Sequence, residues 1–381
     1  MPNLPVELIA EIMDHLGDWE LANAVGTVTA LKRPKDWTRA TLVDEAALSG
    51  SLTRMMCVVS SSSLPSTTSA IPFAGLSQVG ANAIVRLGYI HILNHLLQHD
   101  RNTFDRLYGG DNPNCIPLRA SASGRTEVLT WWRAQDDIPK IYGDECIDEA
   151  CKHGRLDVLD WWWCNTLPHH LPRSPRTTPA SLDQKTGTSG AGSSAPLYMF
   201  YTEAALENAS ARGHIHVLKW WKQSGLPLRV GRVMDLASKS GHTEVLDWWS
   251  RSGIEVKYDH GTLDHASRNG KVDVLSWWLH SGYRMMVRAL PFCAPLQLFN
   301  MLSAATQFNE EVLLSATRHN RPEVLQWWYD SGLTVHYRIC DIEEALEDAI
   351  RPGPEAREWW GKHGVDFKAN NAEWMKLKIL R

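Results

Sequence analysis

The amino-acid sequence predicts an all-α protein built from stacked helical repeats, and two recurring features carry this prediction. The first is a set of tryptophan pairs, most of which end the frame Val-Leu-X-Trp-Trp that begins four residues after a glycine. The second is an alanine followed by a small residue, four and three residues before that glycine. Repetition at a fixed spacing is typical of proteins in which each repeat contacts only its neighbours. The pairs are Trp131-Trp132, Trp161-Trp162, Trp220-Trp221, Trp248-Trp249, Trp277-Trp278, Trp327-Trp328 and Trp359-Trp360.

The repeat unit is clearest around Gly241. Residues 235–240 predict a first helix with a narrow Ala-Ser face, which Gly241 ends and reverses. In residues 245–249 the apolar side chains at offsets 0, 1, 3 and 4 predict a second helix with a wide apolar stripe, which Gly253 ends. Small side chains on one helix and indoles on the other predict close packing between them.

The turn position recurs along the chain. Asn occupies it once, and Asn is the residue next best suited to a left-handed turn. The turn residues are Gly124, Gly154, Gly213, Gly241, Gly270 and Asn320. Fainter units around Gly50, Gly88 and Pro352 extend the array to as many as nine units between about residues 41 and 367.

Three stretches depart from the repeat. Residues 164–197 and the shorter Ser-rich stretch 60–72 contain too few apolar residues to order themselves, so both are predicted to be disordered loops. Residues 284–308 are more apolar and predict a helical unit that has lost its signature. The predicted domains are a helical segment at 1–40, repeats at 41–163, the insertion at 164–197, repeats at 198–370 and a cap at 371–381.

The unit resembles the ankyrin repeat. The family pattern Leu-Ala-Ala-X-X-Gly-His, then Val-Val-X-Leu-Leu, then Gly falls on residues 236–242, 245–249 and Gly253. The family's Thr-Pro-Leu-His opening is missing, and the period of 28 to 29 residues is shorter than the usual 33. Since the interval between the two glycines is intact, the resemblance implies an ankyrin-like solenoid with shortened β-turns between units.

Residues 3–37 do not follow the repeat. They predict an amphipathic helix that ends at Gly17, followed by a second helix. The opening resembles an F-box, whose pattern Leu-Pro-X-Glu-(Leu/Ile)-X-X-X-Ile-X-X-X-Leu is matched in register by Leu4, Pro5, Glu7, Leu8, Ile12 and Leu16. Pro34 departs from the family because it would break the third helix early. F-box helices bind the Skp-type adaptor of cullin-RING ubiquitin ligases, and the resemblance implies that Leu4, Pro5, Leu8, Ile12 and Leu16 form that contact. The alternative is a helix that only caps the first repeat.

Two further patterns have competing interpretations. The tryptophan pairs indicate core packing, whereas an exposed aromatic ladder would bind sugars or quaternary ammonium groups. Basic residues recur one or two positions before the turns and predict a mildly basic strip that binds an acidic target. The same residues would also complement the negative ends of the first helices without binding anything. They are Lys152, Arg212, Lys239, Arg268 and Arg318.

Composition and motifs exclude several other functions. The net charge is −4 and no basic tract occurs, so nucleic acid is not an expected partner. No apolar run is long enough to span a membrane. Seven scattered cysteines without a Cys-X-X-Cys pair suit a reducing compartment, which predicts a protein of the cytoplasm, the nucleus or both. No catalytic, cofactor-binding or metal-binding motif is present, so an enzyme is not expected.

Together these patterns predict a substrate-recruiting subunit of a cullin-RING ubiquitin ligase. In this hypothesis the N-terminal helices dock the adaptor and the repeats hold a target protein. The alternative is an interaction scaffold with no role in ubiquitin transfer. Exposure of the apolar face of Leu8, Ile12 and Leu16 distinguishes the two, because a docking face must be free.

Overall fold

Helices form nearly all the regular structure of the chain. The structure is a computed structural model that describes residues 5–62, 73, 75–109, 115–166, 197–259, 261–283, 311–351, 353–368 and 371–380. The chain divides into two compact units, Met1–Ala205 and Leu206–Arg381, which are described separately. Within the described residues each unit is a stack of antiparallel helix pairs, so the predicted class, an all-α array of helical repeats, is confirmed.

The first unit begins with helices α1 (Val6–Leu16) and α2 (Trp19–Val25) and a 3-10 helix, Lys35–Arg39. Four helix pairs follow: α3 (Leu42–Leu48) with α4 (Leu52–Ser62), α5 (Gln78–Leu87) with α6 (Ile90–His99), α8 (Cys115–Ser123) with α9 (Thr126–Ala134), and α10 (Glu145–Lys152) with α11 (Leu156–Asn165). Between the second and third pairs lie the short helix α7 (Arg101–Phe104) and a π-helical turn, Asp105–Gly109. The first helices of successive pairs contact one another in chain order.

The second unit holds five helix pairs in its described part: α12 (Ala204–Ala211) with α13 (Ile215–Ser224), α14 (Val233–Ser240) with α15 (Thr243–Ser252), α16 (Gly261–Arg268) with α17 (Val272–His280), α18 (Glu311–Arg318) with α19 (Pro322–Asp330), and α20 (Ile339–Glu347) with α21 (Glu355–Lys362). The chain then forms α22 (Asn371–Trp374). Strand β1 (Val335–Tyr337) pairs antiparallel with β2 (Lys378–Leu380) beside the last pair.

The predicted irregular stretches fall mainly outside the described residues, but their edges are visible. Helix α4 continues to Ser62 and α11 to Asn165, so both run two residues or more into the ranges predicted as loops. Serine continues a helix at modest cost, and the Asn165 side chain donates to the Trp161 carbonyl oxygen at the end of α11. The extra unit predicted within residues 284–308 is not described. Helices α16 and α18, on either side of that range, contact each other.

The turn between the two helices of a pair has the backbone conformation that the sequence predicted. Gly241 has φ +95°, a conformation that side chains with a β-carbon rarely adopt. Asn320, at the equivalent position, is the one non-glycine residue with positive φ in the part of the chain that is described. Its side-chain oxygen also accepts a hydrogen bond from the Ala356 backbone N–H at 2.8 Å, which holds the last helix pair against the turn.

A buried aspartate on the first helix of a pair holds the residue at the start of the next pair in three places. Asp44 lies six residues before Gly50 and accepts hydrogen bonds from the Ser77 backbone N–H (2.8 Å) and hydroxyl (2.7 Å) at the start of the next pair. Asp148 binds Thr202 in the same way, and Asp235 binds Thr262. Burial raises the pKa of Asp148, and the bonds from Thr202 oppose that rise.

The second tryptophan of every pair is buried in the stack. Trp249 is 1% exposed, and its indole N–H donates to the Ser210 hydroxyl, 3.0 Å away on the first helix of the preceding pair. The acceptor is the small residue of the Ala-small motif. The same bond joins Trp162 to Ser121, Trp278 to Ser238, Trp328 to Ser267 and Trp360 to Thr317. The core interpretation is therefore confirmed for these rings, and they offer no surface for sugars.

The first tryptophan of most pairs forms a second ladder of hydrogen bonds. Its indole N–H donates to the X residue of the Val-Leu-X frame in the preceding pair. These bonds join Trp131 to Asn94, Trp161 to Thr130, Trp277 to Asp247, Trp327 to Ser276 and Trp359 to Gln326 at 2.7 to 2.9 Å. For Trp248, the X residue in the preceding pair is Lys219, whose ammonium group cannot accept such a bond.

Trp132 differs from the buried tryptophans that bond to the preceding pair. Its ring is fully buried, but its N–H has no hydrogen-bond partner among the described residues. The position that supplies the hydroxyl in other pairs is occupied here by Val85, which is buried and has no polar atom. A buried donor without a partner costs about 1–3 kcal/mol.

Val85→Thr should raise the free energy of unfolding of the first unit by about 1 kcal/mol. A threonine hydroxyl at position 85 should bond as that of Thr317 does. The buried Thr317 hydroxyl donates to the Leu313 carbonyl and accepts from the Trp360 N–H. Urea denaturation followed by tryptophan fluorescence measures the change. The matched control is Val128→Thr, a buried position without an unpaired donor, and it should be destabilising. Equal losses in both variants would contradict the prediction.

Candidate functional site

Helix α1 presents the apolar face that the sequence assigned to adaptor binding. Val6, Leu8, Ile12 and Leu16 are 66%, 42%, 40% and 60% exposed, and no residue of α1 is buried. Pro5, directly before the helix, is also exposed, while Leu4 lies outside the described residues. Leu8, Ile12 and Leu16, spaced four apart, lie on one face of the helix, and such a cluster of exposed large apolar side chains is unusual for a surface that contacts only water.

The segment that follows α1 is attached firmly to the first repeats. Trp37 is fully buried against Leu48 and Ala83, and its indole N–H donates to Glu20 at 2.7 Å. Arg86 of α5 forms ion pairs with both Asp18 and Glu20. The departure at Pro34 has the predicted effect, since the third helix is only a 3-10 turn. This turn nevertheless brings Trp37 into the core.

The parts of the N-terminal segment differ in how they pack. Helix α2 and the 3-10 helix cap the first repeats, and α1 lies beyond them. Gly17, with φ +67°, separates α1 from α2. A cleft of about 360 Å³ lies at the base of α1, lined by Leu16, Trp19, Leu31 and other residues.

The predicted basic strip is divided between the two units, and its members differ in what they contact. Arg212, Lys239 and Arg268 are exposed and form no ion pair within the described ranges. Arg318 is half-buried and pairs with Glu311 at 3.3 Å. Lys152, the member in the first unit, is half-buried and pairs with Glu149 at 2.7 Å. Three of the five side chains are thus available to a partner.

In the second unit further arginines lie near Arg268, and two of them are ion-paired: Arg232 with Asp235 and Asp259, and Arg321 with Glu323. Burial lowers the pKa of His265, and the charges of Arg268, Lys239 and Arg232 lower it further. Burial likewise lowers the pKa of His319, and Arg268, Arg321 and Arg351 also lower it. Sequence analysis missed Arg232, Arg321 and Arg351, although Arg321 directly follows the turn residue Asn320.

Neither a metal centre nor a membrane-spanning helix occurs in the part of the chain that is described. No three His, Cys, Asp or Glu side chains converge on a common point there. None of its helices is long and apolar enough to cross a bilayer. Its six cysteines are all free thiols, and burial raises the pKa of Cys146 to about 12.

Comparisons with known proteins return a structural similarity and no sequence family. No protein-family model matches the chain, and no curated protein matches it. The structure is similar to the ankyrin repeat domain of human ASB11 with a TM-score of 0.38 and 18% identity, over 66% of this chain and 98% of that domain. The repeat fold rests on the helix pairs and their contacts.

Proposed function

We propose that this protein recruits target proteins to a cullin-RING ubiquitin ligase, with α1 docking a Skp-type adaptor and the repeats holding the target. The observation that carries the proposal is the exposure of Leu8, Ile12 and Leu16 on a helix whose following segment is anchored to the repeats. The protein acts by holding a target within reach of the ligase and performs no chemistry itself.

The energetics of the exposed face suit a docking role. Completing the burial of Leu, Ile and Leu side chains that are about half exposed contributes about 1 kcal/mol each. That is too little for tight binding alone, but apolar anchors at the centre of an interface usually carry most of its energy. Helix α1 also starts from a fixed base, because Trp37 and Arg86 hold the adjoining segment, and this lowers the ordering cost of binding.

Isothermal titration calorimetry of the full chain with a Skp-type adaptor tests the proposal. The unaltered chain should bind, and Leu8→Asp with Ile12→Asp should reduce affinity at least about a hundredfold, because two charges would be desolvated. The matched control is Glu11→Ala with His15→Ala, two exposed polar positions on the same helix, which should bind normally. Absence of binding by the unaltered chain would overturn the ligase role and leave an interaction scaffold.

The basic strip is the proposed contact for the target. Lys239→Glu with Arg268→Glu should weaken capture of acidic target proteins by roughly tenfold, since each exposed charge contact contributes up to about 1 kcal/mol. Quantitative mass spectrometry of proteins retained by the immobilised full chain measures this. The control Lys219→Glu with Lys257→Glu makes the same charge change at exposed positions outside the strip. Unchanged capture would leave only the helix-dipole role for these residues.

A further inference from the structure

A groove of about 720 Å³ lies in the first unit between the anchored N-terminal segment and the turns of the repeats. One wall carries the carboxylates of Asp18, Glu20 and Asp36. The other carries the guanidinium groups of Arg119, Arg125 and Arg155. Sequence analysis assigned no role to these arginines, and none of them belongs to the predicted basic strip.

The acidic wall is largely neutralised within the protein. Arg86, which also lines the groove, forms ion pairs with both Asp18 and Glu20. Asp36 is exposed and has no ion-pair partner among the residues described. It would repel an anion on its own side, so the groove favours negative charge only along the opposite wall.

The arginine wall is pre-ordered and has free hydrogen-bond donors. The Nε–H of Arg125 donates to the Arg86 carbonyl at 2.8 Å, and the Nε–H of Arg155 donates to the Ala122 carbonyl at 3.3 Å. Each side chain lies across the turn of the preceding pair, where a β-carbon at Gly124 would be 3.0 Å from Cδ of Arg155. The Nη groups of both arginines make no hydrogen bond within the described ranges, which leaves a fixed fork of donors on each.

Arg125 and Arg155 occupy the same place in consecutive repeats, directly after the turn glycines Gly124 and Gly154. Equivalent positions in a stack form a row along its axis. A row of guanidinium groups suits an extended ligand with several anionic groups better than a compact ligand with one. Guanidinium forks recognise carboxylate and phosphate groups alike.

We propose that this groove binds an extended protein segment whose carboxylate or phosphate side chains contact Arg119, Arg125 and Arg155. The segment belongs to the recruited target, and to that extent the inference rests on the proposed function. The chemistry of the groove does not depend on the adaptor. Its position beside α2 would place a bound segment next to the base of the docking helix.

Fluorescence anisotropy of the full chain with labelled ten-residue peptides tests this assignment. Three Gly-Ser peptides carry, at the same three positions, glutamate, phosphoserine or glutamine. At least one anionic peptide should bind about tenfold or more tightly than the glutamine peptide, and the better one identifies the source of the anion. Arg125→Gln with Arg155→Gln should weaken that binding about tenfold. The Lys versions keep the charge without the fork and should give an intermediate loss.

Controls separate this proposal from unfolding and from the adaptor role. Arg39→Gln with Arg54→Gln removes the same charge from exposed positions outside the groove and should leave binding unchanged. If the Gln variants melt early by circular dichroism, Arg119→Gln, at an exposed position, replaces them. The Leu8→Asp, Ile12→Asp chain should bind the peptides normally. Equal binding of the neutral peptide, an equal loss in the control, or tighter binding of ATP than of either anionic peptide would overturn the proposal.

Discussion

Replacing Trp249 with alanine should lower the free energy of unfolding of the second unit by about 3–5 kcal/mol. The ring is 1% exposed, and its N–H bond to Ser210 joins two helix pairs. The substitution therefore removes packing within one pair and across one boundary, and leaves a hydroxyl without its donor. In a stack of repeats such a loss is local and lowers cooperativity around the altered pair.

Hydrogen exchange followed by mass spectrometry locates the effect. Residues 209–282 of Trp249→Ala should open before the rest of the second unit. Trp248→Ala is the matched control. The Trp248 ring is half-buried, and the X residue in the preceding pair is Lys219, which cannot accept its N–H. Removing this ring should therefore lower the free energy of unfolding clearly less. Ser210→Ala removes only the hydrogen bond and should cost about 1 kcal/mol. Unchanged protection in Trp249→Ala would contradict the core interpretation of the ladder.

Asp44→Ala should destabilise the first unit by about 3 kcal/mol. The carboxylate is completely buried and accepts hydrogen bonds from the Thr41 N–H, the Ser77 N–H and the Ser77 hydroxyl. Its removal leaves these donors without partners at the junction of two helix pairs. The backbone of Gly80 packs directly against this carboxylate, because a β-carbon at Gly80 would lie 2.3 Å from Asp44 Oδ1.

Chemical denaturation of the full chain measures this loss. Glu45→Ala is the control, because its carboxylate forms only an exposed ion pair with Arg33 at 2.8 Å, and exposed pairs contribute less than about 1 kcal/mol. The Asp44 variant should also expose the loop around Ser77 to proteolysis earlier than other loops of the unit. Equal effects of the two substitutions would show that the buried carboxylate does not hold the junction.

The repeat could be predicted from the sequence because its signals are local. The Gly241 turn, the Ala-Ser face and the Val-Leu-X-Trp-Trp stripe lie within one pair of helices, and each follows from backbone conformation and helical periodicity. The hydrogen-bond ladders could have been anticipated in part, since the X positions Asn94, Thr130 and Asp247 are all acceptors. Which neighbour accepts the bond depends on how pairs stack, and sequence spacing alone does not fix that.

The candidate sites depended on contacts between distant residues and were harder to predict. An amphipathic stripe such as that of Leu8, Ile12 and Leu16 has the same pattern whether a neighbour covers it or not. Its exposure follows from the anchoring of Trp37 and Arg86, far along the chain. The arginine groove likewise combines three segments of sequence. Single basic residues after turns, such as Arg125 and Arg155, give no pattern that separates a binding wall from an ordinary solvated surface.

The two indole ladders give the stack a direction. Every described bond in them runs from a donor in one pair to an acceptor in the pair before it. If the stack is cut after a pair, the acceptor groups left at the new end can bond to water. If it is cut before a pair, a buried indole N–H loses its acceptor. The first two described pairs contain no tryptophan pair, so no indole N–H at the start of the first unit requires an acceptor in an earlier pair. Duplicating an interior pair would copy donor and acceptors together, and such a protein can lengthen by tandem duplication without redesigning its core.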